Sequence, residues 1–245
     1  MQQIKAVITD YIGTLTNAKR YNMEASMANL HVALAEAGLK TDKQQFLDAY
    51  AKAHEKYRLI RFGELREVNN AIWLSETLCN LGYHVNPQDP RMKTALNKFF
   101  QDYIDSLELR PYAEKLLKKS AETCKLGLIS NFTYAPVVHV SLRKLGISRY
   151  FNAVVVSGDI GWRKPHQRIF ADAMHRLQVK AEETVYIGDC PEEDIKGAAQ
   201  AGMKTVFVNS QFYNVADLHA SGEKPDFIAA DLLEIYRNFS KISTC

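Results

Sequence analysis

No stretch of the 245-residue sequence approaches the ~20 consecutive apolar residues needed to cross a bilayer, so no membrane span is expected. There is also no dense block of lysine or arginine. The 31 basic and 28 acidic residues leave a net charge of only +3, dispersed along the chain, which argues against a nucleic-acid-binding stripe. Cysteine is scarce. Cys79, Cys124, Cys190 and Cys245 show no C-x-x-C spacing, and so form neither a zinc motif nor a small-domain disulfide framework. Cys190 reads as a small residue filling a loop position. No basic-then-apolar leader precedes the first apolar run, and a reducing cytoplasm is the expected compartment. Internal repeats and low-complexity segments are absent too. What remains is a globular composition, 47% hydrophobic and 24% charged, long enough for one large domain or two modest ones.

Two textures divide the chain. Short apolar runs fall at Ile4–Thr9, Lys125–Ile129, Ala153–Ser157, Thr184–Ile187, Lys204–Val208 and Asp226–Ala229, with helical segments between them. Nearly continuous apolar runs are the mark of strands buried on both faces of a parallel sheet. Strand–helix alternation at this spacing predicts a doubly wound α/β core made of residues 1–15 and 107–245. Residues 16–106 read as helix. Met23, Met27, Leu30 and Leu34 form one stripe, and Phe46, Tyr50, Ala53, Tyr57 and Ile60 form a second. Val68, Ile72 and Leu78 form a third, and Met92, Leu96, Phe99 and Tyr103 a fourth. Breaks at Gly38–Asp42, Phe62-Gly63 and Asn86-Pro87 predict a bundle of four amphipathic helices.

Four motifs sit at the ends of the apolar runs, where an open parallel sheet binds ligands. Asp10-Tyr11-Ile12-Gly13-Thr14-Leu15 follows the first run, and Ser130-Asn131 the second. Gly161-Trp162-Arg163-Lys164-Pro165 lies after the third. Gly188-Asp189-Cys190-Pro191-Glu192-Glu193-Asp194-Ile195 closes the fourth. In this order they resemble the four motifs of the haloacid dehalogenase superfamily, over nearly the whole chain.

The resemblance implies a Rossmann-like core with an inserted helical cap, and it implies roles for single residues. Asp10 is the expected nucleophile. Thr14, Ser130, Asn131 and Lys164 complete the catalytic set, with hydroxyl donors and a positive charge for the transferring oxyanion. Mg²⁺ is the expected cofactor, held by Asp10, the backbone carbonyl of Ile12, Asp189 and Asp194. Glu192 and Glu193 complement a helix dipole or hold the metal's waters. The expected reaction is hydrolysis of a small phosphorylated metabolite.

One residue departs from the pattern. The superfamily's phosphatases carry a second Asp as general acid/base where this chain has Ile12, and such help is worth roughly 10²–10⁴-fold. Three alternatives stay open. A 2-haloacid dehalogenase needs no such acid, and Arg58 and Arg61 would clamp its substrate's carboxylate, but Asp189 argues for a metal. A phosphonatase needs an imine-forming lysine, for which Lys52 and Lys56 are candidates. A catalytically weak binding module would hold metal and phosphate without turnover. Glu64 or His31 are candidates to supply the missing proton. The oligomeric state is not legible.

Overall fold

The computed structural model describes residues 3–244, so Cys245 lies outside the described residues. Two compact units emerge, Met1–Asn17 with Glu108–Cys245, and Ala18–Leu107.

In chain order the elements are β1 (Ala6–Thr9), β2 (Thr16–Ala18), α1 (Met23–Glu36), α2 (Lys43–Gly63), α3 (Asn70–Asn80), α4 (Pro90–Ser106) and β3 (Leu107–Leu109). They continue with α5 (Ala113–Ala121), β4 (Lys125–Ser130), α6 (Pro136–Lys144), β5 (Ala153–Val156), α7 (Ser157–Ile160) and α8 (Gln167–Leu177). The last group is β6 (Thr184–Gly188), α9 (Gly197–Gln200), β7 (Lys204–Val208), α10 (Val215–Ser221), β8 (Phe227–Ala229) and α11 (Leu232–Thr244).

Six strands form one parallel sheet in the order β5-β4-β1-β6-β7-β8. Alternation along each strand decides which layer its side chains enter. Val7, Leu126, Leu128, Val185 and Ile187 face a layer containing α5, α6 and α11, through Leu116, Val138 and Ile235. Ala6, Ile8, Ile129, Val155 and Tyr186 face α8 and α9, through Ile169, Phe170, Ala173 and Ala198. Helices cover both faces of the central strands, and those strands are apolar for that reason. This is the doubly wound α/β architecture, and all six expected strands are present. Ser157 is a correction. It opens α7 instead of ending β5, and its hydroxyl accepts from the Phe132 amide at 2.9 Å.

The strand pair β2–β3 is a second, two-stranded sheet that periodicity did not announce. Gly127, inside β4, marks a close approach. A Cβ there would meet Leu177 Cδ1 at 2.9 Å and Ile8 Cγ1 at 3.1 Å.

The Ala18–Leu107 unit contains four helices, each opened by a side-chain cap. Asn22, Asp42, Asn69 and Asp89 accept from the amides of Ala25, Gln45, Ala71 and Arg91 respectively, satisfying donors that the first turn leaves orphaned. Leu30, Leu34, Phe46, Ala53, Trp73, Leu74, Leu78, Met92, Leu96 and Phe99 are its buried core. Met27, Tyr50, Tyr57, Ile60 and Tyr103 of the stripes are partly buried, and three others lie elsewhere. Met23 and Ile72 are exposed, and Val68 precedes α3. Met23 is the first helical residue of α1, and Ile72, six residues before Leu78, falls about 240° round α3 from that residue and off the buried face of Trp73, Leu74, Thr77 and Leu78.

Two measurements test this packing. Gly127→Val is expected to lower stability by about 1–3 kcal/mol through overpacking against Leu177 and Ile8, read from chemical denaturation. His54 lies edge-on to Trp73, with ring centroids 5.6 Å apart. Burial, and then the charge of Arg61, lower its pKa below the usual 6.5. The unfolded chain therefore binds more protons at this ring than the folded one, so its contribution to stability is lost as pH falls below about 6.5. His54→Gln is expected to flatten the fall in melting temperature between about pH 7 and 5; an unchanged profile would contradict the assignment.

Candidate active site

Register brings the first groups together. Thr9 pairs with Leu128 on one side and with Ile187 on the other. Asp10 therefore leaves the sheet one step past Thr9, flanked by Ser130 and Asp189, each two steps past its strand's paired residue. The Asp10 amide donates to the Ile187 carbonyl at 2.9 Å, extending the ladder by one residue. Lys164 comes from the segment between α7 and α8.

The centre is a buried ammonium. Lys164 Nζ donates to Asp10 Oδ1 at 2.6 Å, Asp194 Oδ1 at 2.7 Å and the Tyr186 hydroxyl at 3.1 Å. Tyr186 passes its own proton toward Asp194 Oδ1 at 2.9 Å. The other Asp194 oxygen accepts from the amides of Asp189 and Cys190, at 3.1 and 2.9 Å. Thr14 Oγ1 donates to Asp189 Oδ1 at 2.9 Å. Lys164, Asp10, Asp189 and Asp194 are 2%, 6%, 3% and 1% exposed. Against this, Oδ2 of Asp10 is buried and has no hydrogen-bond partner.

Charge does not balance here. Oxygens of Asp10, Asp189 and Asp194 lie within 4.8 Å of one another, with one lysine among them. Burial pushes Asp10 up to about 8, against the pull of Lys164 and aided by the charges of Asp194 and Asp189. Burial and Asp194 raise Asp189 to about 6. Burial alone would favour neutral Lys164, but the Asp10 and Asp194 carboxylates outweigh it and hold its proton firmly. Buried carboxylates in excess of cations are a site that attracts a further positive charge. Hard oxygen donors of this kind suit a hard divalent cation.

Two glycines let the loops close this tightly. A Cβ on Gly13, whose φ is +98°, would lie 2.4 Å from Asp189 Oδ2. One on Gly188 would lie 2.4 Å from Asp194 Cγ. Neither position has room for a side chain.

The remaining expected residues take different places. Ser130 is buried at the end of β4. Ile12 is partly buried and packs against the apolar cluster of the α5/α6/α11 layer. Asn131 works on the backbone: its Oδ1 accepts from the Lys164 amide at 2.8 Å, and its Nδ2 donates to the Lys164 carbonyl at 3.1 Å and to Glu193 Oε2 at 2.8 Å. The other Glu193 oxygen takes Arg163 Nη2 at 2.8 Å, and Glu192 pairs with Lys196. Glu193 thus braces the Lys164 segment. Asp194 lies within a wide, π-helical turn, Pro191–Lys196, instead of an ordinary helix. Burial, Asp194 and Glu193 push the Cys190 thiol up to about 12, away from reactivity.

In the Ala18–Leu107 unit, Lys56 pairs with Glu76 at 2.8 Å, Arg58 with Glu55 at 3.4 Å and Arg61 with Glu67 at 2.6 Å. Glu64 and Lys52 are exposed, and His31 Nε2 meets the Thr41 carbonyl at 3.0 Å.

Sequence reasoning missed Tyr186 and Arg110. The signal for Tyr186 was its inward place in β6, one strand step from Ile187. Arg110 gave no signal. Its guanidinium donates to the carbonyls of Gly13 (2.5 Å), Thr14 (3.1 Å) and Asn209 (2.5 Å).

Comparison with known proteins supplies the context. Solved structures share the fold along nearly the whole chain. A 2-haloacid dehalogenase from Pseudomonas syringae pv. Tomato superposes with TM-score 0.66 at 23% identity, covering 98% of this chain and 99% of that one. A HAD phosphatase from Thermococcus onnurineus does so at 0.63 and 19%, covering 96% and 98%. At these identities the likeness is one of fold alone. Sequence relatives go further. A glyceraldehyde 3-phosphate phosphatase of Methanopyrus kandleri is 32% identical over 97% of this chain and 99% of its own length. The protein of the same name from Methanothermobacter thermautotrophicus is 29% identical over 93% and 96%. A family model described as haloacid dehalogenase-like hydrolase matches residues 4–202. With model, full-length relatives and fold in agreement, the chain belongs to the haloacid dehalogenase-like hydrolases and is an enzyme of their phosphatase type.

Proposed function

We propose that this enzyme hydrolyses a small phosphorylated metabolite through a phosphoryl group carried on Asp10. The observation that carries the reading is the free, buried Oδ2 of Asp10, set beside the Lys164 ammonium and the Asp189 carboxylate. Oδ2 attacks phosphorus, the bond from phosphorus to the leaving oxygen breaks, and an aspartyl phosphate forms. Water then attacks phosphorus, releasing phosphate and restoring the carboxylate.

The carboxylate excess fits Mg²⁺, which Asp10, Asp189 and the Ile12 carbonyl would hold; when bound, it offsets the charge brought together by substrate and carboxylates. Asp194 has both oxygens committed to Lys164, Tyr186 and two amides, so it anchors the site from behind. Thr14 gives its single hydroxyl proton to Asp189, orienting that ligand. Ser130 and Lys164 face the oxyanion. The Ala18–Leu107 unit is the cap of the family resemblance, and substrates of triose-phosphate size are the first to try, given the relatives' names.

Two observations weigh against the alternatives. Three clustered carboxylates are a poor setting for a metal-free dehalogenase. Lys56 is ion-paired with Glu76, which raises its pKa and disfavours the neutral amine that imine formation requires.

Ile12 gives the reaction a signature. With no carboxylic acid at that position, a departing alkoxide must leave with little proton assistance. Rates on a series of phosphate monoesters are expected to fall steeply as the leaving group becomes more basic, with aryl and acyl phosphates fastest. Ile12→Asp is expected to flatten that dependence and speed alkyl phosphates by roughly 10²-fold or more. A flat dependence in the unaltered enzyme would show that another group supplies the proton. Asp10→Asn is expected to abolish phosphate release while leaving the fold intact, and EDTA to abolish it reversibly. Full activity in Asp10→Asn would end the nucleophile assignment.

A further inference from the structure

Arg110 lies outside the four motifs, yet three backbone carbonyls of the site's loops converge on it. Gly13 and Thr14 belong to the turn after β1, and Asn209 follows β7 directly. The Arg110 amide also donates to the Leu15 carbonyl at 2.9 Å, so backbone and side chain grip the same turn. A guanidinium is a rigid planar fork, and can hold several acceptors in fixed relative directions where an ammonium offers a point charge.

We propose that Arg110 is a positioning residue for phosphoryl transfer, setting the Gly13–Thr14 turn against Asp189 and aiming the Thr14 amide at the transferring oxyanion. The argument starts from the peptide plane. In a trans peptide the carbonyl of Gly13 and the N–H of Thr14 point in opposite directions. Pulling the Gly13 carbonyl onto Arg110 turns the Thr14 N–H away from the guanidinium. The second element is tolerance. The Gly13 Cα passes so near Asp189 that even a methyl group would collide with its carboxylate, and the Thr14 hydroxyl bonds that same carboxylate. A small rotation of the turn therefore displaces Asp189, Thr14 and the amide together. Asp189 in turn acts electrostatically on Arg110, opposing the lowering of its pKa by burial.

The guanidinium also borders a cavity of about 580 Å³, lined by Asn17, Arg110, Asn209, Ser210 and Asp231 among others. That space gives a free guanidinium ion access to the clamp when the side chain is shortened.

The inference rests on the phosphatase reading, and its test is built to separate the two. Arg110→Lys and Arg110→Ala would be assayed with magnesium on p-nitrophenyl phosphate, alongside hydrogen exchange at individual amides. Expected in both variants is a fall in kcat of roughly 10²-fold, the cost of a misplacement of about 1 Å, with KM little changed. Tens of millimolar guanidinium, far below denaturing concentrations, is expected to restore part of the Arg110→Ala activity, and urea to restore none. Exchange at Gly13, Thr14 and Leu15 should accelerate, while that at Ile8 in β1 stays unchanged.

A kcat within twofold of the unaltered enzyme, or unchanged exchange in the turn, overturns the proposal. So does a loss of activity that merely tracks a fall in melting temperature without guanidinium rescue. Failure of both variants to fold would make Arg110 a requirement of the fold and overturn it as well. If the unaltered enzyme releases no phosphate, the phosphatase reading fails, and the exchange measurements decide the role of Arg110 alone.

Discussion

The Lys164 ammonium is the interaction on which the site depends. Taking one unpaired charge out of water costs several kcal/mol even after relaxation, and Lys164 is 2% exposed. The cost is met only by placing Asp10, Asp194 and the Tyr186 hydroxyl around it at hydrogen-bond distance. Each partner then belongs to a different place in the fold. Asp10 extends β1, Tyr186 lies within β6, and Asp194 stands in the turn that follows β6. One buried cation thus joins elements far apart in sequence, while Asn131 and Glu193 fix the backbone that carries it.

This arrangement needs the parallel sheet beneath it. In a parallel sheet all carboxyl ends lie along one edge, so residues that follow neighbouring strands meet there whatever their separation in the chain. β1 sits between β4 and β6, and the sequence brings Asp10 to the end of that strand. The same geometry makes the carboxylates crowd. Asp10 and Asp189 are held at elevated pKa values because burial and mutual repulsion act together. Packing alone would not collect three acids at one point.

Much of this was legible in the residues because burial writes itself as pattern. Strands covered on both faces must be apolar throughout, and all six read that way; helices covered on one face must be striped, and four were. Asp10, Ser130 and Asp189 could be grouped because a strand end is a place in the fold as well as in the chain. What pattern cannot carry is the partner of a side chain across the molecule. Nothing in Leu109-Arg110-Pro111 states that the guanidinium reaches the carbonyls of residues 13, 14 and 209. Nothing in Glu193 states that it bridges Asn131 and Arg163. The stripes erred at Met23, where the helix is only beginning, and at Ile72, whose spacing of six to Leu78 puts it off the buried face. The short pair β2–β3 escaped because three residues are too few to show alternation.

The turn after β1 also holds neighbouring residues in different ways. Ile12 is partly buried against an apolar cluster, with the outer part of its side chain open. Gly13, next to it, is confined by the Asp189 carboxylate and by a backbone angle that other residues rarely adopt. Adjacent positions thus differ sharply in their constraint: residue 12 is held by apolar packing, residue 13 by shape.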